Sequence, residues 1–211
     1  MINFSFGICL LGDTSVGKTS FVDRIVNSNF NYKSNATIGV EYTTKYFKTI
    51  INSKEYNYKW SIWDTAGQEV YNSLIRTYYR NGPVYILMFD KTEKMSFNEL
   101  KKWYDSIKTL GTDKKFIYIV GNKIDNSKYE VTYNDIIKKV EDDDFKYYEI
   151  SVKNNLNLDL LINSINNDLL SYILDKDIPR FLKKNVIRFY DKKKIILKKN
   201  NNNNNYNNCC Y

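Results

Sequence analysis

An eight-residue stretch near the N-terminus, Gly12-Asp13-Thr14-Ser15-Val16-Gly17-Lys18-Thr19, constrains the fold more than any other part of the chain. It lies between the apolar run Phe4 to Leu11, which reads as a buried strand, and Lys18 to Asn27, whose Phe21, Val22 and Ile25 share one helical face. A strand that passes through a glycine-bracketed loop into a helix N-terminus aims backbone N–H groups at one point, and the helix dipole reinforces them. This arrangement suits phosphate oxygens. Lys18 is placed to reach the terminal phosphates, the Thr19 hydroxyl to ligate Mg²⁺, and Ser20 completes the candidate binding set.

Strand-like and helix-like segments alternate through the rest of the chain. Val40 to Ile51 and Glu55 to Asp64 read as strands of a hairpin turning at Asn52-Ser53, with one wet face. Val84 to Asp90 (VYILMFD) and Lys115 to Asn122 (KFIYIVGN) read as buried strands, and Lys146 to Ser151 as a last one. Helices are expected over Ser96 to Leu110, with Ser96 as N-cap and Glu99 at the capping-box position, over Thr132 to Val140 with a Thr132 cap, and over Asn157 to Leu174. About six strands and five helices imply an α/β fold, a six-stranded, mostly parallel sheet with helices on both faces. The ligand is then expected in loops at the carboxyl ends of the strands.

The pattern holds to residue 174 and then fails. Residues 1–174 are expected to form the domain. Residues 175–211, with Lys pairs and triplets and six asparagines from Asn200 to Asn205, are expected to form a flexible basic tail, within which Phe181 to Leu197 has the makings of a surface helix. Charge divides the same way. The chain carries +8, but Asp175 to Tyr211 holds ten Lys/Arg against three Asp/Glu, whereas the preceding residues hold 22 against 21. A nearly neutral domain argues against nucleic acid as a partner.

There is no histidine, which removes Ser-His-Asp and Cys-His nucleophiles and His-ligated metals. Three cysteines, Cys9, Cys209 and Cys210, make no disulfide framework, which points to a reducing compartment. No apolar run is long enough to span a bilayer, and no secretory signal is expected at the N-terminus.

Two further motifs follow strands. Asp64-Thr65-Ala66-Gly67-Gln68 puts a carboxylate where a Mg²⁺ needs one, through a water, and a glycine whose N–H can approach a γ-phosphate. In Asn122-Lys123-Ile124-Asp125 the Asp125 carboxylate can accept from both the N1–H and the exocyclic amine of guanine, a donor pair adenine lacks, so Asp125 selects the base. Asn122 is expected to tie this loop to the phosphate loop. The implied ligand is GTP or GDP.

These motifs, in this order, resemble the Ras superfamily of small GTPases with its P-loop NTPase fold, and within it the Rab family. The match runs over roughly residues 4–174. It includes Thr37-Ile38-Gly39-Val40-Glu41, Trp63 to Glu69, Tyr78-Tyr79-Arg80 and Ser151-Val152-Lys153. The IGVE segment and the Cys209-Cys210 pair favour Rab over Ras, Rho or Arf. The resemblance implies that Thr37 closes over Mg²⁺ and the γ-phosphate, Phe30 packs on guanine, Gln68 orients the attacking water, and Ser151, Val152 and Lys153 contact the base. It implies switch segments around residues 32–41 and 66–80, effectors, an exchange factor, a GTPase-activating protein, a GDP-dissociation inhibitor and a prenylation escort. It also implies vesicle trafficking at the cytoplasmic face of an intracellular membrane, with a cytosolic pool.

Some residues depart from the family pattern. Val152 stands where Ala is usual and must find room, Val70-Tyr71 replaces an Arg-aromatic pair, and Asn81-Gly82-Pro83 replaces a small apolar pair. No arginine precedes Thr37 closely, so slow turnover is expected until a partner supplies one. Cysteine is absent from the fourth position from the end, Asn208, which disfavours a C-a-a-X signal. Cys209-Cys210-Tyr211 resembles a doubly prenylated Rab terminus. The alternatives are a GTP-dependent membrane scaffold with negligible hydrolysis and a nucleoside kinase; intact Gln68 opposes the first, and the Asn122/Asp125 pair the second.

Overall fold

A computed structural model of the chain describes residues 2–31, 36–51, 54–67, 82–111, 115–140 and 144–174. The expected turn at Asn52-Ser53, residues 32–35 of the first switch segment, most of the second, Gln68, Val70-Tyr71, Tyr78-Tyr79-Arg80 and the tail with Cys209 and Cys210 lie outside these residues. The strands are β1 (Ile2–Leu11), β2 (Val40–Ile51), β3 (Lys54–Thr65), β4 (Val84–Asp90), β5 (Phe116–Asn122) and β6 (Lys146–Glu149). The helices are α1 (Lys18–Asn27), α2 (Lys94–Asn98), α3 (Leu100–Leu110), α4 (Tyr133–Val140) and α5 (Leu158–Leu174).

The strands form one sheet in the order β2-β3-β1-β4-β5-β6. β2 and β3 pair antiparallel, and every other neighbouring pair is parallel. All seven residues of β4 are buried, as its unbroken apolar run requires of a central parallel strand. β2 lies at the edge and alternates. Phe47 packs on Tyr58 and Trp60, with ring centroids at 5.2 and 4.7 Å, while Tyr42, Tyr46 and Ile50 on the opposite face are exposed.

Alternation along β1 divides the core in two. Phe6, Ile8 and Leu10 face α1 and α5, packing with Phe21, Ile25, Leu161, Ile165 and Leu169. Cys9 and Leu11 face the other layer, with Tyr85, Leu87, Trp103, Ile107, Ile136 and Val140. Each fully buried Leu, Ile or Phe contributes on the order of 1.5–3 kcal/mol through apolar area removed from water. Helices on both faces are thus a consequence of β1, β4 and β5 being apolar on both sides.

Three local expectations meet different outcomes. The Thr132 cap forms a reciprocal box, in which Thr132 N and Oγ1 donate to Asp135 Oδ2 at 2.8 and 2.6 Å and Asp135 N donates to Thr132 Oγ1 at 3.3 Å. Ser96 is not a cap. It sits inside α2, where its hydroxyl accepts from Asp90 N (3.0 Å) and donates to Glu93 O (2.9 Å), binding the helix back onto the end of β4. The expected single helix breaks at Glu99, whose carboxylate pairs with Lys102 at 3.0 Å instead of closing a box. Finally, β6 stops at Glu149, because Ser151 pairs with Leu156 and closes a turn.

Candidate functional site

The chemistry-bearing segments meet where β1, β3, β4 and β5 end. A cavity of about 440 Å³ opens there, a size suited to a small-molecule ligand. Thr14, Ser15, Gly17, Lys18, Thr19 and Ser20 line it on one side, and Asn122, Lys123, Asp125, Val152 and Lys153 on the other. Phe30, Thr37 and Gly67 complete the wall, joined by Asn31, Ala36, Thr65 and Asn126, which sequence reasoning did not single out. Gly12, Asp13, Val16, Asp64 and Ser151 do not line the cavity; they hold the residues that do.

On the phosphate-loop side, Lys18 is 5 % exposed and lies across the loop, donating to Gly12 O at 2.9 Å and Asp13 O at 2.7 Å. Burial lowers its ammonium pKa to about 8, against the pull of Asp64 and Asp13. Thr14 N donates to Asp13 Oδ1 at 2.7 Å. Gly17 has φ 101°, and a Cβ there would stand 2.4 Å from Asn122 Nδ2, so only glycine fits. Gly67 is pressed against the same loop, where a Cβ would meet Thr14 N at 2.2 Å.

Thr19, Thr37 and Asp64 form an oxygen cluster. Thr19 Oγ1 donates to Asp64 Oδ2 at 2.6 Å, and since a hydroxyl has one proton, Thr37 Oγ1, 2.6 Å away, is the donor to Thr19. Asp64 Oδ1 is buried and has no hydrogen-bond partner among the described residues. Burial raises the Asp64 pKa to about 6, in spite of Thr19 and Lys18. Two hydroxyls and an orphaned carboxylate oxygen fit a hard, oxygen-seeking divalent cation, which would satisfy Oδ1 and keep the carboxylate ionised.

At the other end, Asn122 is 3 % exposed and spans two loops. Its Nδ2 donates to Val16 O at 2.9 Å, and its Oδ1 accepts from Val152 N at 3.1 Å. The expected tie between base loop and phosphate loop is therefore present, and it takes up the Val152 N–H. The Val152 side chain finds its room in the core beside Ile150 and Leu158. Asp125 is aimed by Ser151, whose Oγ donates to its Oδ1 at 2.6 Å, with Lys153 Nζ 3.9 Å from Oδ2. A carboxylate so held presents a fixed pair of acceptors to a base edge.

The match to the Ras family model covers residues 7–171. The chain is 38 % identical over 163 residues to Ras-related protein Rab-31 of Rattus norvegicus, covering 77 % of this chain and 82 % of the relative. It is 35 % identical to human Ras-related protein Rab-3A (74 % and 70 % covered) and 32 % identical to Rab-3 of Caenorhabditis elegans (83 % and 80 %). The chain belongs to the Ras family, among its Rab proteins. As a Rab-like small GTPase it binds guanine nucleotide and hydrolyses GTP, and a scaffold without hydrolysis is not favoured.

Two residues that brace this Rab's site from outside the cavity wall were also missed in the sequence. Asp90, at the end of β4, is 3 % exposed and pairs through Oδ2 with Lys123 Nζ at 2.6 Å, while Oδ1 accepts from Thr92 N and Oγ1. Its signal was available, since a carboxylate ends an otherwise apolar strand on the ligand side of the sheet. Arg24 on α1 reaches the Val152-Lys153 turn. Nothing in its local sequence marks it, because the partner lies more than a hundred residues away.

Proposed function

We propose that this Rab-like GTPase is a switch of vesicle trafficking that alternates between GDP and GTP forms and recruits effectors in the GTP form. The observation that supports it best is Asn122, which joins the phosphate loop to the base loop around one cavity. In this reading the N–H groups of Gly12 to Ser20 and the Lys18 ammonium hold the phosphates, and Gly67 brings its backbone up to the γ-phosphate. Phe30 packs on guanine, Asp125 accepts from its N1–H and amine, and Asn122, Lys123, Ser151, Val152 and Lys153 frame the base. Mg²⁺ would be held by Thr19 and Thr37 and, through water, by Asp64; when bound it neutralises charge on the β- and γ-phosphates. Gln68 orients the attacking water, and with no arginine near Thr37, turnover stays slow until a GTPase-activating protein supplies one.

Residues 1–174 are read as the GTPase domain and 175–211 as its membrane tether, lipidated at Cys209 and Cys210. Two chains anchor stably where one is marginal, and each nearby Lys or Arg adds up to about 1 kcal/mol on an anionic leaflet. Among the described residues no helix is long and apolar enough to cross a membrane, and lipids leave no need of one. An exchange factor, a GDP-dissociation inhibitor and a prenylation escort complete the cycle at the cytoplasmic face of an intracellular membrane. Nucleic acid has no part in it.

Single-turnover hydrolysis of bound GTP tests the reading. The parent should hydrolyse slowly and Gln68→Leu at least tenfold more slowly still, with guanine nucleotide recovered from both. Equal, negligible turnover in the two proteins would remove Gln68 from its role and leave only a GTP-dependent scaffold.

A further inference from the structure

Arg24 stands on the polar side of α1, outside the phosphate loop and outside both base motifs. Its Nε donates to Val152 O at 3.0 Å and its Nη2 to Lys153 O at 2.8 Å. Its Nη1 reaches Ser28 O at 3.5 Å, beyond the last turn of its own helix. The guanidinium carbon lies 5.6 Å from the centre of the Phe30 ring. One side chain thus touches the turn after β6 and the aromatic after α1, segments more than a hundred residues apart that both line the nucleotide cavity.

We propose that Arg24 is a positioning residue for guanine recognition, locking the Val152-Lys153 turn and the Phe30 ring into one rigid wall of the base pocket. The inference rests on the guanine-nucleotide reading given above. The planar guanidinium, with donors fixed on several nitrogens, satisfies two successive carbonyls while its flat face lies on an aromatic ring, a face that an ammonium lacks. The two carbonyls are only partly buried or exposed, so water can replace the guanidinium when it is removed. The cost then falls on orientation rather than on folding. It falls on a particular contact, because the same turn aims Asp125. Ser151 Oγ and Lys153 Nζ flank its two carboxylate oxygens, at 2.6 and 3.9 Å. A turn freed from Arg24 blurs the acceptor pair that distinguishes guanine, with its exocyclic amine, from hypoxanthine, which lacks it. The phosphate end, held by Lys18 and the Thr19, Thr37 and Asp64 oxygens, has no contact with Arg24 among the hydrogen bonds described.

The test uses the full chain loaded with fluorescent GDP or inosine diphosphate. In Arg24→Ala the GDP off-rate should rise about tenfold, and the preference for GDP over inosine diphosphate should fall at least threefold. Chelation of Mg²⁺ should accelerate release by the same factor as in the parent. Arg24→Lys, which keeps the charge but loses the planar fork and its face on Phe30, should fall between. Unchanged release and preference in a folded Arg24→Ala protein would overturn the proposal. So would faster release with the preference intact, which is the mark of general loosening. Should Arg24→Ala fail to fold, Arg24→Lys is judged by the same two readouts. A parent with no preference for guanine would instead defeat the underlying reading, so the two failures are distinct.

Discussion

A buried amide at the meeting point of two loops has a cost that its neighbours set. Asn122 satisfies Val16 O and Val152 N at once, and only 3 % of it is exposed. Asn122→Ala leaves one buried acceptor and one buried donor without partners, at about 1–3 kcal/mol each. Nucleotide-free Asn122→Ala should therefore unfold at lower urea than the parent by roughly 2–4 kcal/mol, with an unchanged denaturant slope. It should also release GDP faster, because both loops lose their common strut. Unaltered stability with altered release would mean that Asn122 touches only the nucleotide. This residue was legible in the sequence because its role is written in one short motif after an apolar strand. Arg24 and Asp90 also brace the base loops, yet Arg24 was not legible. Its partners are backbone carbonyls, which any residue type supplies, so the partner positions carry no sequence signal.

At the level of elements, periodicity and capping chemistry decide what can be read. β4 and β5 are continuous apolar runs between turn residues, and they appear as buried central strands almost to the residue. The same rules mislead at Ser96. A serine three residues before a glutamate reads as a capping box, but the end of β4 claims its hydroxyl and the helix divides. Competition from a distant element, absent from the local sequence, was the cause. Thr132 has no such competitor. Its box with Asp135 is complete and exposed, and burial plays no part in holding the Asp135 carboxyl below its ordinary pKa; the Thr132 hydroxyl and N–H do. Thr132→Ala should lower stability by about 1 kcal/mol, or roughly 2–4 °C in melting temperature for a domain of this size, leaving GDP release unchanged. Thermal denaturation of the GDP-bound proteins checks this. A release rate that moved with the melting temperature would show that α4 is coupled to the base loop.

For the whole molecule, the continuity of the phosphate loop with β1 predicts that nucleotide and sheet behave as one cooperative unit. The phosphate loop is the direct continuation of β1, and β1 lies between β3 and β4 with its side chains in both cores. Cys9 sits in the middle of this strand, paired with Trp63 and Tyr85, and is 3 % exposed. Burial pushes its thiol pKa up from 9.0 to about 12, so at neutral pH the folded protein offers an alkylating reagent neither access nor thiolate. Labelling must proceed through opening of the whole domain, and its rate then measures that opening. A ligand that binds only the folded form stabilises it by RT ln(1 + [L]/Kd), so GDP at a hundred times its Kd should slow Cys9 labelling about a hundredfold. The sign of the pH effect is also fixed. Because the folded pKa is the higher one, the thiol's contribution to stability is fully present below pH 9.0 and is lost as pH rises toward 12. The measurement is alkylation of Cys9 in a Cys209→Ser/Cys210→Ser variant, with and without GDP. Labelling that ignored GDP would mean that β1 opens locally with the nucleotide still bound, and that the loop at its end is not held by the strand.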